Sequence, residues 1–231
     1  MKHEILAGAA VAAALLGGPQ AQSASIAGLF NTGTDGSNAA LATFGGIDTH
    51  YSIVSTTAPS FALGSAITYE HPAYIDGDAD SHWISGASDG LTGSGSSTTT
   101  YRLSFNLGAL NPFTAQISGL WGTDNEGTIF LNGVNTGITL TGTIPGVLDG
   151  ADANNFTSLH SFSILSGFQA GVNTLDFVIL DTGPPSALRV DNLAGTAANI
   201  GVPEPTTWAL MLLGFFGLGG ALRSRRRTLA A

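Results

Sequence analysis

The sequence predicts an all-β protein, built as a two-sheet antiparallel sandwich of the jelly-roll type. Between residues 25 and 202, no segment sustains the 3.6-residue apolar period of a surface helix, and short runs alternate between apolar and polar residues instead. The 32 glycines of the chain, together with Asn, Asp and Pro, supply turns between these runs. About eight to ten short strands separated by such turns are typical of a sandwich.

The clearest strand is Thr98 to Leu107, in which apolar residues at odd positions from Tyr101 onward alternate with polar residues. Such alternation predicts a strand with one buried face. Thr174 to Leu180 repeats the pattern. Thr128 to Leu140 contains Asn132-Gly133 between two apolar runs, and this dipeptide tolerates the positive φ of a tight turn, so the segment is predicted to be a hairpin.

Further strands complete the predicted domain, which covers residues 25–201. In chain order they are Ser25 to Phe30, Thr49 to Ser55, Ala66 to Tyr74, Ala115 to Trp121, Ser161 to Leu165 and Ala187 to Leu193. Trp121 is predicted to lie in the core because it shares a strand face with Ile117. The Gly- and Ser-rich segment Gly86 to Ser97 is predicted to be an exposed loop.

The amino terminus has the features of a secretory signal peptide, predicted to cover residues 1–24. Lys2 provides a positive charge, Ile5 to Leu16 is an apolar stretch too short to span a bilayer, and small residues near Ala24 suit cleavage.

The carboxyl terminus combines three features in order. The motif Val202, Pro203, Glu204 and Pro205 precedes an uncharged apolar segment, Thr206 to Leu222. As a helix this segment would be roughly 25 Å long, which is just sufficient for a transmembrane helix. Four arginines follow, namely Arg223, Arg225, Arg226 and Arg227. Positively charged flanks stay on the cytoplasmic side, so the preceding domain is expected outside.

This tail, residues 202–227, resembles the PEP-CTERM sorting signal of exported bacterial proteins. The resemblance implies processing by an exosortase, a Gram-negative bacterium that makes exopolysaccharide, and a precursor anchored in the inner membrane with its domain in the periplasm. The mature protein would then reach the cell surface or extracellular matrix. An ordinary single-span anchor is the alternative, since an anchor needs the apolar segment and the arginines but not the Pro-Glu-Pro motif.

The charge balance restricts the possible partners. From Asp35 to Asp191 the domain has fourteen carboxylates against only Arg102 and Arg189. Nucleic acid is excluded as a partner because its phosphates require a basic surface. The chain has no cysteine, so the fold depends on its core rather than on disulfides.

A second resemblance covers roughly residues 48 to 195, which are similar to galactose-binding-like jelly rolls. It implies the same fold, a place among sugar-binding and ancillary modules, and little about the ligand. The matching segments are Tyr101-x-Leu-x-Phe-x-Leu107, Ile117 to Trp121 with Asp124-Asn125, Ile129 to Gly133, Phe168 to Phe177, and Leu188 to Val190.

An acidic cluster is the sharpest local candidate for a ligand site. Asp76, Asp78 and Asp80 alternate along the chain, and carboxylate oxygens are the ligands that Ca²⁺ prefers. In related jelly rolls a structural Ca²⁺ lies between an early loop and the last strand, which by resemblance would recruit Asp191 or Asn192. The alternative is a solvated acidic turn.

Aromatic and polar residues suggest a second candidate, a sugar site. Trp83 and Tyr74 have ring faces that can stack on sugars, and His82, Asp124 and Asn125 supply hydrogen-bonding groups. Trp83 is equally compatible with a place in the core.

A hydrolase is the least favoured alternative. Gly86-Ala-Ser-Asp-Gly90 fits a nucleophile pattern, but no helix is predicted after Ser88. The sequence therefore indicates a non-enzymatic exported surface or matrix protein associated with polysaccharide, with a carbohydrate-binding module as the alternative.

Overall fold

The computed structural model describes residues 22–144, 147–150, 153–200 and 211–219. Most of the predicted signal peptide, the Pro-Glu-Pro motif and the arginine cluster lie outside these ranges. The strands belong to one compact unit, Gln22–Asn199.

The described residues form eleven strands, and all strand pairs are antiparallel. Their bounds are β1 Ser23–Ser25, β2 Ile47–Thr56, β3 Gly64–Thr68, β4 Ile84–Ser85, β5 Ser97–Asn106, β6 Gln116–Asp124, β7 Glu126–Leu131, β8 Val134–Leu140, β9 His160–Ile164, β10 Val172–Asp181 and β11 Ala187–Ala198. A 3₁₀ turn, Pro112–Thr114, precedes β6.

The strands follow one hydrogen-bonded path in the order β8-β7-β10-β5-β2-β3-β4-β11-β6-β9, with β1 added beside β11. The path folds over on itself between β2 and β3. We call β8, β7, β10, β5 and β2 the first layer, and β3, β4, β11, β6 and β9 the second layer. From β5 to β6, and again from β8 through β11, consecutive strands alternate between the layers, as in a jelly roll.

Aromatic contacts show that the two layers pack face to face. The ring of Phe177 on β10 lies 5.8 Å from that of Trp121 on β6 and 6.2 Å from that of Phe162 on β9. A Cβ at Gly127 on β7 would lie 2.9 Å from the Trp121 ring. Strands that are distant along the hydrogen-bonded path are thus in direct contact, which confirms the predicted sandwich.

The two strands with the clearest alternation form the centre of the first layer. β5 and β10 pair along their whole length, from Val172 opposite Asn106 to Asp181 opposite Ser97. Their inward apolar side chains, the odd-numbered residues predicted from the pattern, are almost completely buried. Trp121 is also buried in this core, as predicted.

The predicted hairpin is confirmed, since β7 and β8 pair on either side of Asn132 and Gly133. Both residues have positive φ, of 53° and 77°. Asn132 also links this turn to β10, because its side-chain oxygen accepts a hydrogen bond from the Thr174 amide at 3.0 Å.

Three element predictions need correction. The strand predicted from Ser25 to Phe30 lies earlier in the chain, at Ser23–Ser25, and ends where the prediction began. The strand predicted from Ala66 to Tyr74 ends at Thr68. The segment Gly86 to Ser97 is a loop until β5 begins, but Gly90 and Thr92 within it are buried. Gly90 contacts the loop before β11, since its carbonyl accepts a hydrogen bond from the Ser186 amide, and a Cβ at Gly90 would lie 2.6 Å from the ring of Tyr69 in the loop after β3.

The predicted transmembrane segment, Thr206 to Leu222, is described only over residues 211–219, which are helical. Within the described part of the chain, no helix is long and apolar enough to cross a membrane.

Replacing Phe177 by alanine tests whether contact between the layers stabilises the domain. We expect Phe177→Ala to lower the free energy of unfolding by about 3–5 kcal/mol, because a buried aromatic ring is lost and a cavity is left. Urea unfolding of residues 22–200 measures this. Val172→Ala, an exposed change on the same strand, should cost less than about 0.5 kcal/mol. Equal effects of the two substitutions would contradict the assignment of Phe177 to the interlayer contact.

Candidate functional site

One end of the sandwich carries a shallow cavity of about 170 Å³. It lies where β6 ends, beside the loop that follows β3, the loop that precedes β11 and the loop that precedes β9. The lining residues are His71, Ala73, Tyr74, Asp124, Asn125, Phe156, Gly183, Pro184 and Pro185. Three of the five residues predicted for a sugar site therefore lie together here.

Tyr74 and Asp124 form the polar floor of this cavity. The Tyr74 hydroxyl donates a hydrogen bond to Asp124 Oδ2 at 2.6 Å, and both residues are buried. Burial, together with the nearby charge of Asp124, raises the pKa of the Tyr74 phenol. The phenol therefore remains a protonated donor, and the Asp124 carboxylate is its acceptor.

Asn125 forms hydrogen bonds with two of the surrounding loops. Its side-chain oxygen accepts hydrogen bonds from the Thr182 amide at 2.9 Å and the Thr182 hydroxyl at 2.8 Å. Its side-chain nitrogen donates to the Ala153 carbonyl at 3.3 Å. The amide predicted to bind a ligand thus positions the loop before β11 and the loop before β9.

Trp83 lies beneath the cavity rather than at its surface. Its side chain is completely buried, and its indole N–H donates to the Ile75 carbonyl at 2.8 Å. Its ring lies 4.7 Å from that of Tyr74, within a small apolar cluster separate from the main core. Trp83 therefore offers no exposed face for stacking, and in this structure it supports Tyr74.

His82 is not part of the cavity lining. Its Nδ1 atom lies 3.0 Å from Glu70 Oε1, and both side chains are mostly buried. The predicted association of His82 with Asp124 and Asn125 is therefore not present in the structure.

The cavity wall contains residues that sequence reasoning missed. Phe156 presents a half-buried ring 5.1 Å from that of Tyr74. His71 lies 5.2 Å from the same ring, and Pro184 and Pro185 complete the wall. No sequence pattern pointed to Phe156, because the loop that carries it has no periodicity.

The acidic loop is organised around a buried arginine. Arg189 on β11 is 1% exposed, and its Nη2 donates to Asp78 Oδ2 at 2.8 Å. Its Nε donates to Ser81 Oγ at 2.9 Å, and its Nη1 donates to the Asp76 carbonyl. The alternating carboxylates gave no sign that Asp78 pairs with Arg189, because the two residues lie 111 positions apart in the sequence.

The four carboxylates predicted to bind Ca²⁺ do not converge in the structure. Asp78 is bound to Arg189, whereas Asp191 accepts hydrogen bonds from Asn192 and Asn31. Asp76 and Asp80 are exposed. Among the described residues, no group of three or more His, Cys, Asp or Glu side chains could hold a metal ion. Calcium binding here stays a prediction.

The comparison with protein families addresses the tail rather than the cavity. Residues 201–227 match the PEP-CTERM protein-sorting motif. The predicted sorting signal at 202–227 is confirmed by this match, which indicates an exported protein and a substrate of an exosortase. The PEP-CTERM motif accounts for the final part of the chain and leaves the sandwich to be interpreted from its own geometry.

Comparisons of the whole chain returned structural neighbours only. No curated protein matches the sequence. Similar solved structures include CBM35 from Paenibacillus barcinonensis, with 18% identity over 65% of this chain and 94% of that chain, at a TM-score of 0.33. A family 35 carbohydrate-binding module from an environmental isolate is 16% identical over 68% of this chain and 98% of that chain, at a TM-score of 0.33. The Stig cyclase Fisc from Fischerella sp. TAU is 13% identical over 77% of this chain and 99% of that chain, at a TM-score of 0.39.

Removing the charge of Asp78 tests the link to Arg189. Burial alone would raise the pKa of Asp78, but the Asp80 amide, the Arg189 guanidinium and the Ser81 groups together hold it below its ordinary value of 3.8. The stability that this carboxylate adds is therefore present above about pH 4 and lost as the pH falls through its lowered pKa. We expect Asp78→Asn to cost about 1 kcal/mol at pH 7, because Asp78 is half exposed, and to cost less near pH 2.

Urea unfolding at the two pH values measures this difference, and Asp80→Asn is the matched control on the same loop. A cost of Asp78→Asn that is the same at both pH values would show that the ion pair adds no stability.

Proposed function

We propose that this chain is a non-enzymatic surface or matrix protein of a Gram-negative bacterium. In this proposal an exosortase acts at the PEP-CTERM motif, and the sandwich is delivered to the cell surface. The observation that carries the proposal is the family match over residues 201–227.

The order of groups in the tail supports a membrane-anchored precursor. Segment 206–222 has no charged side chain, and four arginines follow it. Arginines are costly to place in hydrocarbon and remain on the cytoplasmic side, so the sandwich would face the periplasm. Two prolines, at positions 203 and 205 of the motif, lack an amide donor. They would prevent the motif from pairing with the sheet of the sandwich.

The properties of the sandwich support a role outside the cell. The domain has fourteen carboxylates and two arginines, and a large net charge keeps an exported protein soluble. Its core forms without cysteine, so folding needs no oxidant. A neutral polysaccharide matrix would not be repelled by the acidic surface, which suits association with exopolysaccharide.

Mass spectrometry of the mature C-terminus tests the processing step. We expect the surface fraction to lack Arg223 to Arg227, because cleavage near the motif separates the sandwich from the arginine cluster. Replacing Pro203, Glu204 and Pro205 by alanine should leave full-length precursor in the inner membrane.

Ser224→Ala is the matched control, because it alters the tail without touching the motif or a charge. Surface protein that keeps Arg227 would instead identify the tail as an ordinary anchor.

A second candidate function is carbohydrate binding at the cavity beside Tyr74. The Phe156 ring offers an apolar face, and the buried Asp124 carboxylate lies at the cavity floor. Sugar sites combine an apolar ring face with a few fixed polar groups in this way. The cavity volume of about 170 Å³ fits one sugar ring rather than a long chain.

Replacing Phe156 by alanine tests this second candidate. On a glycan array, we expect Phe156→Ala to weaken binding of any retained neutral glycan by about tenfold, which corresponds to the loss of one aromatic contact. Phe113→Ala removes an exposed aromatic ring far from the cavity and should leave binding unchanged. Equal binding by both variants, or none by the unmodified domain, would contradict a sugar site in this cavity.

A further inference from the structure

The end of the sandwich opposite the cavity has no charged residues and carries exposed apolar side chains. We call it the terminal end, and it consists of loops 107–115, 132–133 and 165–171 together with the two ends of the domain. Hydrogen bonds join these parts: the Leu107 amide donates to the Gly171 carbonyl at 2.9 Å, and the Asn111 amide donates to the Ala198 carbonyl at 2.8 Å. Asn132 Nδ2 donates to the Gly167 carbonyl at 3.0 Å.

The domain's charges are excluded from the segments that form this end. The segments that form this end, residues 22–25, 107–115, 132–133, 165–171 and 196–200, contain no Asp, Glu, Lys or Arg. All fourteen carboxylates of an otherwise acidic domain therefore lie in other segments. A distribution of this kind leaves one end of the molecule free of the charge that would hold it away from a membrane with anionic lipids.

Exposed apolar side chains occupy this uncharged end. Phe113, in the 3₁₀ turn, is 93% exposed, and Val134, Leu165 and Val172 are also exposed. Apolar residues are exposed at the cavity end too, and several of them stand beside acids, such as Leu91 near Asp89 and Ile75 next to Asp76.

The chain leaves the domain at this same end. β1 pairs with the last residues of β11, with Ser23 opposite Ala198, and the Asn199 amide donates to the Gln22 carbonyl at 3.0 Å. Only seven residues, 199–205, separate the end of β11 at Ala198 from the apolar segment that begins at Thr206. Seven residues reach at most about 25 Å when fully extended. A domain tethered through this link cannot move far from the bilayer.

We propose that the terminal end rests on the lipid bilayer while the tail holds the protein in the membrane, with Phe113 entering the headgroup region. This inference rests on the proposed function, because it requires the membrane-anchored precursor. The partner is a lipid surface, which an uncharged end with exposed aromatic and aliphatic side chains fits. The contact is weak by itself and depends on the tether, so it ends when cleavage at the PEP-CTERM motif releases the domain.

Single-cysteine labelling of the full-length chain tests the contact, because the natural sequence has no cysteine. Phe113→Cys and Val134→Cys place an environment-sensitive NBD label at the terminal end, and Leu91→Cys places one at the cavity end as the matched control. All three positions are exposed, so the labels should not disturb the fold. The chain is reconstituted into phosphatidylcholine–phosphatidylglycerol vesicles, and co-flotation shows whether it is anchored.

We expect the NBD emission at positions 113 and 134 to shift to the blue in vesicles and to be quenched by spin-labelled lipid, whereas the label at 91 stays aqueous. Aqueous labels at all three positions on chains that float with the vesicles would overturn the lipid contact and leave the proposed function intact. Chains that do not float would overturn the anchored precursor, and this inference with it. Shielding at 113 and 134 that needs exosortase in the vesicles would assign the surface to a protein partner and overturn the lipid assignment.

Discussion

Apolar contact between the two layers is the constraint on which the rest of the structure depends. The chain has no cysteine, so no covalent link joins the first layer to the second. The contact is concentrated where Phe177 meets Trp121 and Phe162. Gly127 allows the close approach because a side chain there would collide with Trp121. The loops at both ends take their positions from strands that this contact holds in register.

The strands could be predicted from the sequence because their information is local. Alternation over ten residues is sufficient to assign β5 and β10, and Asn132-Gly133 is sufficient to place a hairpin turn. The loops could not be predicted, because their contacts join distant parts of the chain. Tyr74 donates a hydrogen bond to Asp124, which lies 50 positions away in the sequence, and Arg189 donates one to Asp78, which lies 111 positions away. The residue types suggested that these side chains bind an external ligand, but in the fold they bind each other.

Arg189 shows how a buried charge can organise an acidic loop. A buried guanidinium needs a counter-charge and acceptors for its donors, and the loop from Asp76 to Ser81 supplies both. Trp83 follows this loop directly, and it packs under Tyr74 at the cavity. Trp83 thus lies between the cavity floor and the loop that carries the salt bridge, and it contacts both, since its indole N–H donates to the Ile75 carbonyl.

The placement of β11 has a consequence for how an exported chain matures. This strand lies between β4 and β6 in the second layer and also receives β1, so it joins the earliest strand to the middle of the sheet. During export from the amino terminus, it is the last strand to emerge from a translocation channel. In such an export the second layer cannot be completed until Ala198 has crossed, because β11 lies between β4 and β6. In the proposed export, the strand that completes the second layer is therefore followed closely by the sorting signal.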